Sequence, residues 1–476
     1  MAGLSAARDL VRAGRTVRVS EARDRVGGLV RTEQVDGLTI EAGPDALLMQ
    51  KPAAAQLCQE LGLTLISTLT PRAAYVLRGE RLVPIPRGSI LGIPTDLAGV
   101  WNAGMLTWAG RMRVARDLIA PASPHAASAA GANVEDADES VGAFARRRFG
   151  AEAAARLVQP LLGGIHAGDI DRLSLRALFP MLLAADRRGG SLMRNLRKRR
   201  APLDEEGAFR SIDGGLTRIV SALANELPPD VVRQSTQVRA IAPWSSAPGA
   251  PGASRASDAS KAEPMYRVVL SSEETFIARA VILAVPAYVG AELVRGFDAE
   301  LADECAGIAY ASSATISLAY PRASVGRLWR GTGFVVPRGE RLTRLLAVSW
   351  VTSKWPNRAP DDVVMLRAFA GGTLDEDLLG RDDNELAALV HRDLSGLMRI
   401  DGAPILSRVY RWMRASPQYA VGHLDRVARI EQRLTRWPGL FVTGSGFRGV
   451  GLPDTIADAR ASARQVHQWL GDAPVG

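Results

Sequence analysis

The sequence predicts an α/β fold in which a dinucleotide-binding module is combined with further domains. Three observations predict it: half of a βαβ unit near the start of the chain, a strand and glycine-rich crossing before a helix near its end, and alternating strands and helices between them. With 476 residues, 47% hydrophobic and 23% charged, the chain is long enough for two or three domains with sizeable cores.

Several classes of protein are excluded by composition. The sequence has no apolar run of eighteen or more residues, and its first fifteen residues lack the apolar core of a secretory signal. Cys58 and Cys305 are the only cysteines, and the five histidines form no HxxxH or HxH pair. We therefore expect neither a disulfide scaffold, nor a metal site, nor a membrane-spanning helix.

The net charge of +9 favours acidic ligands or an anionic membrane surface. Nearly all the basic residues are arginine. The one dense basic run, Arg194–Arg200, has no interleaved aromatic residues, which is typical of a solvated face. We expect no binding of nucleic acid.

The first helix is predicted over Gly3–Val11, where small residues accompany an apolar stripe at helical spacing, and Gly14 ends it. The next strand, Thr16–Ser20, leads to Glu21. In a dinucleotide fold, an acidic residue about twenty positions after the glycine loop binds the ribose hydroxyls. Gly3 therefore corresponds to the last glycine of GxGxxG, and the first strand and first two glycines are missing from this sequence. We expect the dinucleotide to be retained weakly for that reason.

The following segment carries Arg25 and the pair Gly27-Gly28, which permits close backbone approach to a pyrophosphate. A helix is predicted over residues 52–62 and a hairpin over Tyr75–Val83.

Residues 88–200 are predicted to be mostly helical. The apolar stretch Ile90–Ala120 carries Trp101, Trp108 and several arginines, so two interpretations stay open: contact with a membrane interface, or an ordinary buried helix pair.

Strands are predicted in the second half over Arg233–Ile241, Tyr266–Leu270 and Phe276–Ala284, with a flexible loop over Ala247–Pro264. Residues 300–410 alternate between strands and helices. A buried strand, Leu440–Gly444, then runs into a glycine-rich turn before a helix that begins at Pro453 and ends near Leu470. Such a turn can aim backbone N–H groups and a helix dipole at an electron-rich cofactor.

Six motifs, spread over almost the whole chain, together resemble those of one family. The chain resembles the oxygen-dependent porphyrinogen oxidases of the flavin amine oxidase superfamily, in particular the bacterial type that oxidises coproporphyrinogen III and also protoporphyrinogen IX. The motifs are Glu41-Ala42-Gly43-Pro44-Asp45, Gly92-Ile93-Pro94-Thr95, Gly164-Ile165-His166-Ala167-Gly168-Asp169 with Leu173-Ser174, Asp213-Gly214-Gly215-Leu216, Pro417-Gln418-Tyr419 with Gly422-His423, and Gly449-Val450-Gly451-Leu452-Pro453-Asp454.

This resemblance implies three domains. They are an FAD-binding Rossmann-like domain of the glutathione-reductase type (1–50, 205–288 and 410–476), a substrate domain (51–90, 165–204 and 289–409), and a helical domain (91–164). Whether the helical domain contacts a membrane stays open.

The resemblance also implies the reaction. FAD would serve in a six-electron oxidation of a porphyrinogen in haem biosynthesis, with dioxygen as acceptor and hydrogen peroxide as product. The location implied is the cytoplasm, with peripheral membrane contact, and haem-pathway enzymes are the implied protein partners. The sequence has no obvious acid–base pair, which agrees with a reaction in which the enzyme mainly orients its substrate.

Site residues follow from the same resemblance. We expect the cofactor to contact Gly3, Glu21, Arg25, Gly27, Gly28, Val238, Trp412, Gly444, Gly451, Leu452 and Pro453. We expect the substrate to contact Lys51, Arg72, Gly164, Ala167, Gly333 and Val335, of which Arg72, Gly164 and Ala167 orient it. Two of these residues have a plainer interpretation that stays open: Trp412 as a core residue and Arg72 as a surface arginine.

His166 departs from the family pattern, which has Tyr or Phe there, and we interpret it as a packing substitution. Two alternative functions stay open. One is a flavin desaturase or amine oxidase with a different apolar substrate. The other is a non-catalytic porphyrin-binding protein.

Overall fold

The computed structural model describes residues 1–85, 89–90, 93, 95–102, 104–119, 138–198, 207–244, 264–340 and 342–471. Of the sequence features above, Gly92, Pro94, the end of the basic run (199–200) and nearly all of the predicted loop 247–264 lie outside these residues.

Strands lie in two parts of the described chain, before residue 85 and after residue 208. They are β1 (Val19–Ser20), β2 (Thr32–Val35), β3 (Leu38–Glu41), β4 (Leu47–Leu48), β5 (Leu65–Ser67), β6 (Ala74–Arg78), β7 (Arg81–Pro84), β8 (Phe209–Ile212), β9 (Val232–Arg233), β10 (Val238–Trp244), β11 (Met265–Leu270), β12 (Thr275–Ala278), β13 (Val281–Leu283), β14 (Tyr310–Pro321), β15 (Gly333–Val335), β16 (Ala347–Trp350), β17 (Val363–Gly371), β18 (Leu406–Pro417) and β19 (Leu440–Val442).

Helices cluster in the middle of the chain and at its two ends. They are α1 (Ala2–Arg12), α2 (Pro52–Glu60), α3 (Leu97–Asn102), α4 (Trp108–Ala115), α5 (Val141–Phe149), α6 (Ala151–Ala153), α7 (Leu175–Leu178), α8 (Pro180–Arg187), α9 (Leu192–Lys198), α10 (Thr217–Asn225), α11 (Ala287–Val294), α12 (Ala299–Ala306), α13 (Val351–Lys354), α14 (Asp383–Met398), α15 (His423–Leu434) and α16 (Leu452–Trp469). A π-helix spans Ala154–Gly163.

The two ends of the chain pack against each other. Ala6 and Leu10 of α1 share a buried apolar cluster with Ala459 and Ala463 of α16. The predicted first helix and last helix are therefore confirmed, and they form one face of the same module. Pro453 lies in the first turn of α16, where a missing N–H costs nothing.

The parallel strands of this module form two separate pairs. β1 pairs with β9 in one, and β13 pairs with β19 in the other. β1 is shorter than the predicted strand 16–20. The predicted single strand Phe276–Ala284 is wrong: β12 belongs to an antiparallel sheet with β10 and β11, whereas β13 pairs with β19, so the chain bends at residues 279–280.

A seven-stranded sheet forms the second large unit, in the order β18-β14-β17-β16-β15-β6-β7. The predicted hairpin is confirmed as the antiparallel pair β6–β7. The edge strand β18 crosses the expected domain boundary between residues 409 and 410. Helix α2 packs with Leu4 of α1 and Ile456 of α16, although the expected boundary places it in the substrate domain.

Residues 138–198 are largely helical and enclose their own apolar core around Phe144, Leu162 and Leu182. Among the described residues, none of the helices combines the length and apolarity needed to cross a bilayer. Four large side chains of α3, α4 and the 3₁₀ turn after them are exposed to solvent: Trp101 (43%), Trp108 (66%), Met112 (41%) and Ile119 (83%).

Candidate active site

A single cavity of about 3650 Å³ brings together residues from both ends of the chain. Eleven of the residues expected to touch cofactor or substrate line it: Gly3, Glu21, Gly27, Gly28, Lys51, Arg72, Val238, Gly444, Gly451, Leu452 and Pro453. Ligand sites of a few hundred to about 1000 Å³ are usual. This cavity therefore has room for a dinucleotide and a second large molecule.

Two helix N-termini open on the cavity. Ala2 and Gly3 begin α1, and Leu452 and Pro453 begin α16, and all four residues are in the cavity wall. Free N–H groups and the helix dipole at such ends favour anions. The pair suits the pyrophosphate of a dinucleotide.

Glycines let the backbone approach closely on the N-terminal side. Gly27 and Gly28 have φ angles of +101° and +63°. A Cβ on Gly27 would lie 2.9 Å from the methyl carbons of Val220, whereas Gly28 has open space around it. Gly43 supports this loop from behind, because a Cβ there would lie 1.8 Å from the carbonyl oxygen of Leu29.

Arg25 fastens the same loop. Its guanidinium donates to the carbonyl oxygen of Gly28 at 2.7 Å, and the residue is not in the cavity wall. The structure thus places Arg25 behind the double glycine.

Two buried side chains hold the C-terminal glycine turn. The carboxylate of Asp458 accepts hydrogen bonds from the Thr443 hydroxyl (2.7 Å) and the Gly444 N–H (3.0 Å). The hydroxyl of Tyr419 donates to the Ser445 carbonyl and accepts from the Gly449 N–H, both at 2.8 Å. Together they fix the turn that leads into α16.

A buried ion pair supports the Glu41–Asp45 segment. Asp45 accepts from the Lys354 ammonium (2.7 Å) and the Trp355 indole N–H (3.0 Å). Burial alone would raise the pKa of Asp45, but Lys354 and Arg367 outweigh it and hold the pKa well below its usual range. Trp412 also contacts this segment, because its indole N–H donates to the Ala42 carbonyl at 2.8 Å. Trp412 is not in the cavity wall.

The basic residues expected to bind substrate lie in the wall, and both have protein partners. The Lys51 ammonium contacts both carboxylate oxygens of Asp454, at 2.7 and 2.6 Å. Arg72 donates from Nε to the Thr68 hydroxyl at 2.9 Å.

Four other expected substrate residues are not in the wall. Gly164 and Ala167 flank Ile165 and His166, and only these two inner residues line the cavity. Gly333 and Val335 lie inside the seven-stranded sheet, where a Cβ on Gly333 would lie 2.1 Å from the Val348 carbonyl oxygen.

The His166 ring is enclosed at the edge of the cavity. It packs edge-to-face on Phe179, with 5.7 Å between ring centroids. Its Nδ1 is buried with no hydrogen-bond partner among the described residues. Burial, and then the nearby Lys51 ammonium, lower the pKa of His166 to about 4. The imidazole is therefore neutral at pH 7.

Sequence reasoning missed two residues of the site, Asp458 and Arg414, and it did not assign the hydrogen-bonding role of Tyr419. Tyr419 was noted only as part of a motif. Asp458 lies four residues after Asp454 on α16, so helical spacing could have indicated it. Arg414 is one arginine among many and carried no signal.

Comparison with known proteins agrees with this geometry. Residues 1–467 match the family described as flavin containing amine oxidoreductase. A coproporphyrinogen III oxidase of Bacillus subtilis (strain 168) is 33% identical, over 94% of this chain and 91% of that protein. One of Staphylococcus aureus (strain NCTC 8325 / PS 47) is 31% identical, over 94% and 93%.

A crystal structure from Exiguobacterium sp. 255-15, provisionally assigned as a protoporphyrinogen oxidase, is 30% identical with a TM-score of 0.82, covering 98% of this chain and 96% of that chain. The cofactor is FAD, and the paired helix N-termini and glycine turns described above fit it. The chain is an oxidoreductase that belongs to the flavin containing amine oxidoreductase family, and within that family it groups with the coproporphyrinogen III oxidases.

Proposed function

We propose that this chain catalyses the six-electron oxidation of a porphyrinogen to a porphyrin in haem biosynthesis, with coproporphyrinogen III as the first candidate substrate. The observation that carries the proposal is the cavity, because its wall contains both the glycine turns suited to a dinucleotide and the basic residues Lys51 and Arg72. The names of its relatives support the substrate class, and one of them, a chloroplastic protein of Oryza sativa subsp. japonica at 26% identity, is a protoporphyrinogen oxidase.

The proposed reaction consumes three molecules of dioxygen and releases three of hydrogen peroxide. Each of three steps removes one hydride from a bridging carbon together with one proton. Over the three steps, two of the protons leave pyrrole nitrogens and the third leaves the fourth bridging carbon. Bound FAD supplies the hydride acceptor, and dioxygen takes the electron pair and protons to form peroxide.

The chain's own residues mainly bind and orient. The N–H groups at the starts of α1 and α16 hold the cofactor's phosphates, and Glu21 holds the adenosine ribose. Lys51 and Arg72 attract the carboxylates at the edge of the macrocycle. Ile165 and Met413, both in the wall, offer apolar surface to its flat face and exclude water.

Peripheral contact with the cytoplasmic face of an anionic membrane is part of the proposal. The exposed side chains Trp101, Trp108, Met112 and Ile119 support the interface interpretation of this stretch over the buried one. Haem-pathway enzymes are the partners we propose.

Aerobic turnover tests the function. The FAD-loaded chain is mixed with coproporphyrinogen III or protoporphyrinogen IX, and porphyrin fluorescence and peroxide are followed together. We expect three peroxides per porphyrin formed. A flavin-loaded chain that yields no porphyrin contradicts the proposal. Amine-dependent peroxide would instead indicate an amine oxidase, and tight porphyrin binding by a chain that takes up no flavin would indicate a non-catalytic binding protein.

A further inference from the structure

Strand β18 bulges where it passes the cavity. It pairs with β14 in a register that shifts between Ala311 and Ser313: the partners of these residues are Ser416 and Trp412, so three residues of β18 face Ser312 alone. Bulges re-aim side chains and recur beside active sites.

Arg414 is at the centre of this bulge. Its φ angle is +45°, a left-handed conformation that costs a residue with a side chain roughly 1–2 kcal/mol. Its N–H donates to the hydroxyl of Ser312 at 3.0 Å. Because Ser312 is fully buried on β14, this hydrogen bond stabilises the bulge. Strain that the surroundings maintain in this way points to a function.

The Arg414 guanidinium stacks on an aromatic pair. Its Cζ lies 3.8 Å from the ring centroid of Tyr288, and Tyr288 packs edge-to-face against Tyr310 with 5.1 Å between centroids. The Tyr310 hydroxyl in turn accepts from the Ala287 N–H at 2.9 Å. Stacking on a ring held in this way limits the orientations of the guanidinium plane.

No carboxylate of the described residues pairs with this guanidinium, whereas Arg18, Arg233 and Arg448 of the same wall each pair with a carboxylate. The Arg414 side chain is exposed and lines the cavity together with Met413 and Tyr288. A planar guanidinium without an anionic partner presents a fork of donors that matches a carboxylate in two-point geometry.

The bulge also lies between the two halves of the site. On one side, the Ser416 hydroxyl donates to the His166 carbonyl at 3.1 Å. On the other, a Cβ on Gly446 of the C-terminal turn would lie 2.5 Å from the Tyr310 hydroxyl. Arg414 therefore lines the same cavity as the cofactor turn, Ile165 and His166, on a strand pair, β14–β18, that contacts both.

We propose that Arg414 is a specificity-determining residue that binds a carboxylate of the substrate. With Lys51 and Arg72 it makes a third cation assigned to the substrate among the basic residues of the wall, so a macrocycle with four carboxylates is favoured over one with two. This inference rests on the proposed function, since coproporphyrinogen III and protoporphyrinogen IX differ by two such side chains.

Binding of the oxidised porphyrins tests this without turnover. The FAD-loaded chain and its Arg414→Asn and Arg414→Lys variants are titrated with coproporphyrin III (four carboxylates) and protoporphyrin IX (two), followed by porphyrin fluorescence. Asn tolerates the left-handed backbone, so the bulge is kept. Arg239→Gln, an exposed arginine outside the cavity, is the matched control.

We expect Arg414→Asn to weaken coproporphyrin III binding about tenfold and protoporphyrin IX binding by less than about twofold, with Lys in between and the control unchanged. The FAD dissociation constant should not move in any variant. Equal loss for both porphyrins, no loss for either, or no porphyrin binding by the wild type overturns the inference. Weakened FAD binding in Arg414→Asn also overturns it, because Arg414 would then hold the cofactor.

Turnover separates this inference from the proposed function. If the wild type oxidises neither porphyrinogen but Arg414→Asn selectively loses coproporphyrin III binding, Arg414 is a carboxylate site and the proposed function is rejected. Normal turnover with an unchanged ratio of KM values for the two porphyrinogens in Arg414→Asn would do the reverse.

Discussion

His166 stands where the sequence analysis expects Tyr or Phe, and its environment gives a measurable consequence. Burial and Lys51 lower its pKa to about 4, whereas an exposed imidazole titrates near 6.5. Between these values the unfolded chain takes up a proton that the folded chain does not. Stability therefore falls as the pH decreases from about 7 towards 4.

Replacing the imidazole removes this dependence. We expect His166→Phe to keep about 2 kcal/mol more of its pH 7 stability at pH 5 than the wild type does, as measured by urea unfolding at both pH values. Phe179→Leu, which disturbs the packing but keeps the imidazole, should lose stability equally at both. The same loss between pH 7 and pH 5 in the wild type and His166→Phe would contradict the assignment.

Sequence reasoning selected glycines and an acidic residue that share one cavity, because these residue types have few other uses at such spacings. Glu21, Gly27, Gly444 and Gly451 all line the cavity. It placed Gly333 and Trp412 less well, because their positions depend on sheet register and on a carbonyl partner distant in sequence. Arg414 could not be predicted at all, since only the bulge in β18 separates it from the other arginines.

The loop that carries Gly27 and Gly28 allows a comparison of two neighbouring glycines. Both have positive φ angles, but only Gly27 is enclosed, by Val220. We expect Gly28→Ala to cost roughly 1 kcal/mol from backbone strain. Gly27→Ala adds a steric clash and should weaken FAD binding by about tenfold or more, measured by quenching of flavin fluorescence.

A second-site change provides the control for this comparison. Val220→Ala removes the two methyl carbons 2.9 Å from the added Cβ, so it should recover part of the loss in Gly27→Ala and none in Gly28→Ala. Equal effects of the two alanine substitutions on FAD binding would show that enclosure of the loop does not matter.

Elements with a clear period and clear terminal signals were predicted well. The first and last helices and the β6–β7 hairpin are present within a few residues of their expected bounds. The stretch Phe276–Ala284 was predicted as one strand but forms two, because an apolar pattern interrupted only by Arg279 does not indicate that the chain leaves one sheet at residue 278 and enters another at residue 281. Register and sheet membership are set by partners that lie far away in sequence.

Among the described residues, Trp101 and Trp108 form an exposed aromatic patch, with 6.4 Å between ring centroids, on a chain of net charge +9. We expect the chain to sediment with vesicles that contain anionic phospholipid. The variant carrying Trp101→Ser and Trp108→Ser, which keeps every charge, should lose most of this binding because the apolar contribution is removed.

Trp244→Ser is the matched control, since Trp244 is also partly exposed (38%) but lies on β10, away from the patch. If the double variant sediments as the wild type does, the binding is purely electrostatic and the patch has another role.

The packing of α1 against α16 has a consequence for how the protein is made. Ala6 and Leu10 are buried by Ala459 and Ala463, so this side of the first helix stays uncovered by its helical partner until the last helix has been synthesised, although Leu4 on the other side packs earlier, with α2. At about 5–20 residues per second, that interval lasts roughly 20 to 90 seconds. During that time the nascent chain exposes the apolar side of α1 that carries Ala6 and Leu10, and its nucleotide site lacks the residues supplied by α16. Chaperones can bind the nascent chain during this interval. A ribosome that stalls before residue 452 is added releases a product that lacks α16 and cannot enclose the flavin.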